Sequence, residues 1–344
     1  MIDPKARRNF DISIGIPAYG RCQELRELLR SIYAQTILPA EITICEDMSL
    51  ERETIRAIVQ EWRGKFASES CAVNYIENRD NLGYDGNLRK VIASSHSTWV
   101  MLIGNDDLLL PHCVQAAEDY LGCNGQLRVI SRSFARFTDD ISSPVGTSSL
   151  SKRDTTFDRT SSSAKMIFRS CGFVGGLIVS RNWAVELTTT RYDGTLFYQI
   201  YLAAEAFCGD GIGYIGKAIV GGRGDNPPLF GAASSEQDVH VPGSYTPKGR
   251  AKMWSSVMTI TKEVGESHNV DLLTETRTEL EVRQSFHVFE MMVGTGRESL
   301  DELRDELQIL GLFDHFVPRT FYWINRIFGS HARLFYVLVR LLMQ

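Results

Sequence analysis

Four short apolar runs, at residues 12–16, 41–45, 73–76 and 99–103, set the architecture of the chain. Between them, apolar residues recur at helical spacing: Leu25, Leu28, Leu29, Ile32 and Tyr33, then Ile55, Ile58, Val59 and Trp62, with residues 87–93 fitting a third helix. Strands that alternate with helices predict an α/β fold, a mostly parallel sheet flanked by helices on both faces. Ligands of such sheets bind beyond the carboxyl ends of the strands. Polar residues gather at those ends: Pro17-Ala18-Tyr19, Glu46-Asp47, Asn78 to Asn81, and Asn105-Asp106-Asp107.

Asp106 and Asp107 are adjacent carboxylates after a strand, and they repel one another. A cation compensates them most simply, and hard oxygen ligands favour Mg²⁺ or Mn²⁺, which also bind substrate phosphates. The alternative is a helix start decorated with acids, because Pro111 is placed to open a helix and its dipole favours negative charge. Asp85 and Asn87 either support the same site or cap a helix.

The residues around these acids narrow the choice. Ile12-Ser-Ile-Gly-Ile-Pro-Ala-Tyr-Gly-Arg21 resembles the opening strand of family 2 glycosyltransferases, which have the GT-A fold. Ile42-Thr-Ile-Cys-Glu-Asp-Met-Ser49 is similar to their second strand, Asn81-Leu-Gly-Tyr-Asp-Gly-Asn87 to their Asn-x-Gly segment, and Gly104-Asn-Asp-Asp107 to their metal-binding Asp-x-Asp segment. The four motifs stand in order over roughly residues 10–120, and they most resemble the branch that includes abequosyltransferase-like enzymes of O-antigen assembly. The resemblance implies an inverting, metal-dependent transfer from a nucleotide-sugar donor to a glycan or lipid-linked glycan in bacterial surface polysaccharide synthesis. It implies Asp107 as metal ligand, and Pro17, Tyr19, Glu46, Asp47, Asn81, Asn105 and Asp106 as nucleotide-sugar residues. Asn105 departs from the pattern: it replaces the first Asp and supplies no charge.

Such a transfer needs a base for the acceptor hydroxyl. Many family members carry Glu-Asp before a helix in the second half, where this chain has Phe197-Tyr198-Gln199. Asp193 is therefore the expected catalytic carboxylate, against a plain turn residue beside Gly194; Glu205 reads as a solvated helix position and Asp210 as a turn. Gly172-Phe-Val-Gly-Gly176 resembles an acceptor-side segment, which makes Gly175 and Gly176 the expected acceptor-binding residues, unless they only form a tight turn. Arg223 and Asp225, in a Gly- and Pro-rich loop at 221–231, are either an ordinary exposed pair or part of a lid with Arg223 on phosphate. Two other enzyme or binding classes stay open: a nucleotidyltransferase, which usually carries a basic Gly-rich segment that Pro17 to Arg21 lacks, and a non-catalytic sugar-nucleotide binding module.

Other signals exclude classes. A net charge of −5 gives no global field for nucleic acid. Gly211-Ile-Gly-Tyr-Ile-Gly216 matches a dinucleotide fingerprint literally but enters a strand and lacks the later acid. His96 and His112 lie near the acids in sequence without metal spacing. Seven scattered cysteines without a CxxC pair predict reduced thiols, and residues 1–10 have no apolar leader core, so a cytoplasmic protein is expected. The expected division is a GT-A domain over 1–245, its nucleotide-sugar half at 1–120 and acceptor half at 121–245, with a long loop at 138–163. A C-terminal helical region follows at 246–344. In it Leu300, Leu303, Leu307 and Leu310 form a stripe, and Arg319, Arg326, Arg333 and Arg340 recur every seven positions along an apolar helix at 316–343. That tail is expected to lie in a membrane interface, peripheral on the cytoplasmic face of the inner membrane, or else to pack on protein.

Overall fold

The computed structural model describes residues 9–224 and 226–342. Residues 1–8, Asp225 and the last two positions of the tail therefore lie outside the described residues, and with them part of the reading of the leader, the loop and the tail. Strands β1 (Asn9–Ala18), β2 (Leu38–Glu46), β3 (Ala72–Glu77) and β4 (Trp99–Leu102) alternate with helices α1 (Cys22–Tyr33), α2 (Arg52–Ala67) and α3 (Gly83–Ser94). These are the elements expected from the apolar runs. Beyond them come β5 (Leu108–Leu109), α4 (Cys113–Asn124), β6 (Val129–Phe137), β7 (Gly146–Ser148), β8 (Thr155–Phe157) and α5 (Lys165–Cys171). The second half of the sheet closes with β9 (Leu177–Ser180), α6 (Arg181–Glu186), α7 (Tyr198–Cys208) and β10 (Ile212–Arg223). Thus 138–163 is not a plain loop: it holds two three-residue strands, and Phe157 is buried.

One ten-stranded sheet runs β3-β2-β1-β4-β9-β6-β10-β5, with β7 on β6 and β8 on β10. The first four strands are parallel. β9 then enters antiparallel between β4 and β6, while β6 and β10 run parallel. The two faces bury separate cores. Along β4, Trp99 and Met101 go to the side of α1, α2 and α4, and Val100 and Leu102 go to the side of α3 and α7. That two-residue alternation is the period of a strand covered on both faces. All seven cysteines are unpaired, and five of them are buried.

The C-terminal region is helical, as expected: α8 (Pro247–His268), α9 (Leu273–Thr278), a π-helical turn (Glu279–Gln284), α10 (Ser285–Met291), α11 (Arg297–Ile309), α12 (Phe316–Phe328) and α13 (Ala332–Leu342). Thr246 caps α8 by accepting the Gly249 N–H, with Pro247 in the first turn. Leu300, Leu303 and Leu307 of α11 are buried, and Leu310 is partly covered. The tail is two helices rather than one, because a 3₁₀ turn at Gly329–His331, with Gly329 at φ 52°, breaks it.

Gly15 is where α3 meets the sheet. A Cβ there would stand 2.5 Å from Val91 and 2.9 Å from Val100. Gly15→Ala is expected to lower stability by about 1–3 kcal/mol, as overpacking does. Urea titration checks this as a lower midpoint at unchanged slope; an unchanged midpoint would contradict so close an approach.

Candidate active site

A cavity of about 420 Å³ opens at the carboxyl ends of β1, β2 and β4. Pro17, Tyr19, Asp47, Asn81, Asn105, Asp106 and Asp107 all line it. It continues past Gly172-Phe173-Val174 to Leu196, Phe197, Gln199, Phe230 and Met253. Asp47 is buried and accepts the Asn78 side-chain amide at 2.7 Å and the Leu82 N–H at 2.9 Å. Burial pushes its pKa up to about 6 in spite of those bonds. Asn78 also donates to Asn87, whose amide donates to the Cys45 carbonyl. Asn87 therefore ties α3 to β2 at the rim.

Glu46 does not reach the cavity. It is fully buried, accepts the N–H groups of Met48 and Ser49 at 3.1 and 2.7 Å, and pairs with Arg52. The expected nucleotide contact is corrected accordingly: Glu46 closes the turn after β2, and its neighbour Asp47 faces the cavity.

The acid pair sits on the turn between β4 and β5, and the strand β5 separates it from α4, which starts only at Cys113. A helix start decorated with acids is thereby excluded. Asp107 is 4% exposed; its carboxylate accepts the Arg223 N–H at 3.1 Å. Burial, then the charge of Asp106, push its pKa up to about 8. Asp106 pairs with Arg21 and accepts from Asn226 at 2.9 Å, and Asn105 donates to the Gly20 carbonyl at 2.7 Å. Among the described residues no three His, Cys, Asp or Glu side chains converge on a metal position. The two carboxylates still suit a hard cation that takes its remaining ligands from phosphate and water, as Mg²⁺ usually does.

Gly175 and Gly176 do not line the cavity; Gly172, Phe173 and Val174 do. A Cβ on Gly175 would lie 2.5 Å from a carboxylate oxygen of Asp107, so Gly175 makes room for the acid. Gly176, at φ 85°, bonds the Leu102 carbonyl and leaves space for Val220 and Arg132. The two glycines expected to bind the acceptor therefore serve the packing around Asp107 and the sheet.

Asp193 is likewise not brought to the cavity. Both its oxygens are bound to Arg89 of α3, and it lies in the turn before α7. Glu205 bonds His268 at 2.8 Å and Asp210 approaches Arg128 at 3.8 Å, both away from the cavity lining. Arg223 lines the cavity, with its guanidinium on Glu27 and its Nε donating to the Asp106 carbonyl.

Four residues to which the sequence assigns no role complete the site. Arg132 is 2% exposed, and among the described residues no carboxylate stands within salt-bridge distance. It donates to the carbonyls of Ser170 and Phe173, holding the segment at 170–173, and burial pulls its pKa down to about 10. A charge inside the apolar run at 129–137 was the available signal. Glu236, 3% exposed, accepts the N–H groups of Tyr84 and Gly231, and Tyr84 packs edge-on against Phe230 at 5.7 Å. These contacts fasten the 226–236 segment over α3. Asn226 holds Asp106, and Gln199 shares a 3.3 Å bond with Tyr84.

Residues 13–176 match the family described as Glycosyl transferase family 2. The chain is 26% identical over 240 residues to abequosyltransferase RfbV of Salmonella typhimurium, which covers 62% of this chain and 67% of that protein. In fold it is similar to TarS of S. aureus, solved with UDP-GlcNAc, at a TM-score of 0.60 and 14% identity over 94% of this chain and 88% of that one. It is also similar to the mannosyltransferase PcManGT of Pyrobaculum calidifontis, solved with GDP-Man and Mn²⁺, at 0.51 and 13% identity over 98% and 88%. The sheet and its flanking helices define a GT-A fold. The chain is a glycosyltransferase whose residues 13–176 match family 2, and the nucleotidyltransferase and binding-module alternatives are set aside.

Asp85 gives a pH prediction. It is fully buried on α3 and accepts the N–H groups of Leu196 and Tyr198 at 2.8 and 2.9 Å, capping α7 across the cavity. Burial raises its pKa from 3.8 to about 7. The folded state therefore binds this proton more tightly than the unfolded chain. The contribution to stability is complete below the unfolded value and is lost as pH rises through about 7. Urea titrations of the ligand-free protein are expected to show stability falling over that window, and falling less steeply in Asp85→Asn; equal slopes would contradict the assignment.

Proposed function

We propose that this glycosyltransferase is an inverting, divalent-metal-dependent enzyme. It moves a hexosyl or deoxyhexosyl group from a nucleotide-sugar donor to a glycan or lipid-linked glycan during bacterial surface polysaccharide synthesis, at the cytoplasmic face of the inner membrane. One observation carries the reading: Asp107, sealed from water beside Asp106, lies in the same cavity as Tyr19, Asp47 and Asn81. Breaking the bond from the anomeric carbon to a diphosphate leaves negative charge on the nucleotide. A bound Mn²⁺ or Mg²⁺ would stabilise that charge as a Lewis acid, with Asp107 as its ligand and Asp106 beside it. Asp47, Tyr19, Pro17, Asn81 and Asn105 hold the nucleoside in this scheme. Gly172-Phe173-Val174 presents the acceptor, and Arg132 fixes that segment through its two carbonyl contacts. Asp193 takes no proton; its role is to hold Arg89. UDP-GlcNAc in the TarS structure, and GDP-Man with Mn²⁺ in the PcManGT structure, support a nucleotide-sugar donor and a metal. The abequosyl transfer named for the Salmonella relative supports O-antigen-type chemistry.

Thermal-shift screening with UDP-, GDP-, CDP- and dTDP-sugars, with and without Mn²⁺, tests this. A ligand at a hundred times its Kd adds about 2.7 kcal/mol, a shift of several degrees. One nucleotide class is expected to stand out, with Mn²⁺ enhancing it. Asp107→Ala is expected to abolish the enhancement and to slow donor turnover at least about a hundredfold. The reading fails if no nucleotide sugar moves the melting point under either condition.

A further inference from the structure

We infer that α12 and α13 form a docking surface for an anionic lipid bilayer. This rests on the proposed membrane-side location only for its biological setting; the surface is argued from its own residues. Of sixteen exposed large hydrophobic residues among those described, eight fall between Ile309 and Leu338. Single exposed apolar side chains are ordinary, but a cluster of this size marks an interaction surface. On α12, Phe316, Trp323 and Ile327 recur at seven and four positions, 70%, 56% and 68% exposed, and so share one stripe. On α13, Leu334, Val337 and Leu338 do the same at 69%, 48% and 60%. The opposite sides of both helices are packed on the protein through Pro318, Tyr322 and Tyr336. The two expectations for the tail, packing on protein and lying in an interface, thus describe two faces of the same helices.

Charge chooses the occupant. From His315 to the end the chain has four arginines and no Asp or Glu, whereas the rest of it has nine more acids than bases. At helical spacing, Arg319 and Arg326 border the α12 stripe on one flank, and Arg333 and Arg340 border the α13 stripe on one flank. Acids on neighbouring elements lie near three of them: Asp314 at 4.0 Å from Arg319, Asp301 at 2.9 Å from Arg326, and Glu290 at 2.6 Å from Arg340. Arg333 has no salt bridge among the described residues, and the guanidiniums of Arg319 and Arg340 stay about half exposed. A second copy of the chain would bring four more arginines and no tail carboxylate to the contact. An anionic bilayer complements both parts, with headgroups for the arginines and the acyl boundary for Trp323, Ile327 and Leu334. The acidic remainder of the chain is repelled from that surface, which orients the helices towards it. Among the described residues no helix is long and apolar enough to cross a membrane, so the contact lies in the interface plane.

The test is flotation of the full-length protein with phosphatidylcholine vesicles and with vesicles containing roughly one-third phosphatidylglycerol. Binding is expected to the anionic vesicles, weakened by salt and at least about tenfold stronger than to the neutral ones. W323E combined with I327E, and separately R333E, are expected to cut it about tenfold or more. All three positions are exposed, so the far-UV spectrum and melting point are expected to stay as in the wild type. Donor hydrolysis in solution is also expected to be unchanged, which separates this surface from the catalytic reading. Failure of the wild type to float, or a dimer in light scattering that W323E/I327E dissolves while vesicle binding is unaffected, would overturn the inference.

Discussion

The structure turns on a carboxylate that folding removes from water next to another carboxylate. Asp107 is sealed between the glycine at position 175 and the end of β10, and the Arg223 N–H is its sole hydrogen bond from that strand. Charge in such a place is unfavourable unless an opposite charge is near. The chain supplies only partial answers: Arg21 is spent on Asp106, and Arg132 lies behind the floor with its donors on carbonyls. The same arrangement that is awkward for the empty protein favours a cation arriving with a diphosphate. Site and instability are two aspects of one feature, as is common where function sets the local sequence.

The parallel half of the sheet was legible because its signals are local. Runs of four or five apolar residues bounded by helical periodicity specify buried strands, and strand ends specify where polar residues meet. Tyr19, Asp47, Asn81 and Asn105 to Asp107 could therefore be placed from sequence. Glu46 could not be told from Asp47, since consecutive strand residues point to opposite faces and only the register after β2 decides which one faces the cavity. Asp193 was misplaced for another reason: a turn acid before a helix looks the same whether it meets substrate or, as here, an arginine from α3. Gly175 and Gly176 signalled a close approach correctly, but the partner is the acid and the sheet rather than a sugar.

What escaped the sequence is long-range. Asp85 caps a helix whose first residue is 113 positions further on, and Glu236 fastens a loop to a helix 152 residues earlier. Arg132 reaches carbonyls about 40 residues away. No periodicity encodes such contacts. The first two join α3 to the segments at 196–198 and 231–236 on the far side of the cavity, beyond the end of the family match at residue 176.

The antiparallel entry of β9 between β4 and β6 has a consequence for biogenesis. β4 gains its inner neighbour β1 early, but the strand that covers its other side is made some 75 residues later. While the ribosome is still synthesising the intervening segment, the Trp99–Leu102 edge presents open N–H and C=O groups in a wholly apolar strand. An uncovered edge is a template for pairing with another chain. The interval between the emergence of β4 and that of β9 is thus the stage of synthesis at which this protein most needs protection from its own nascent copies.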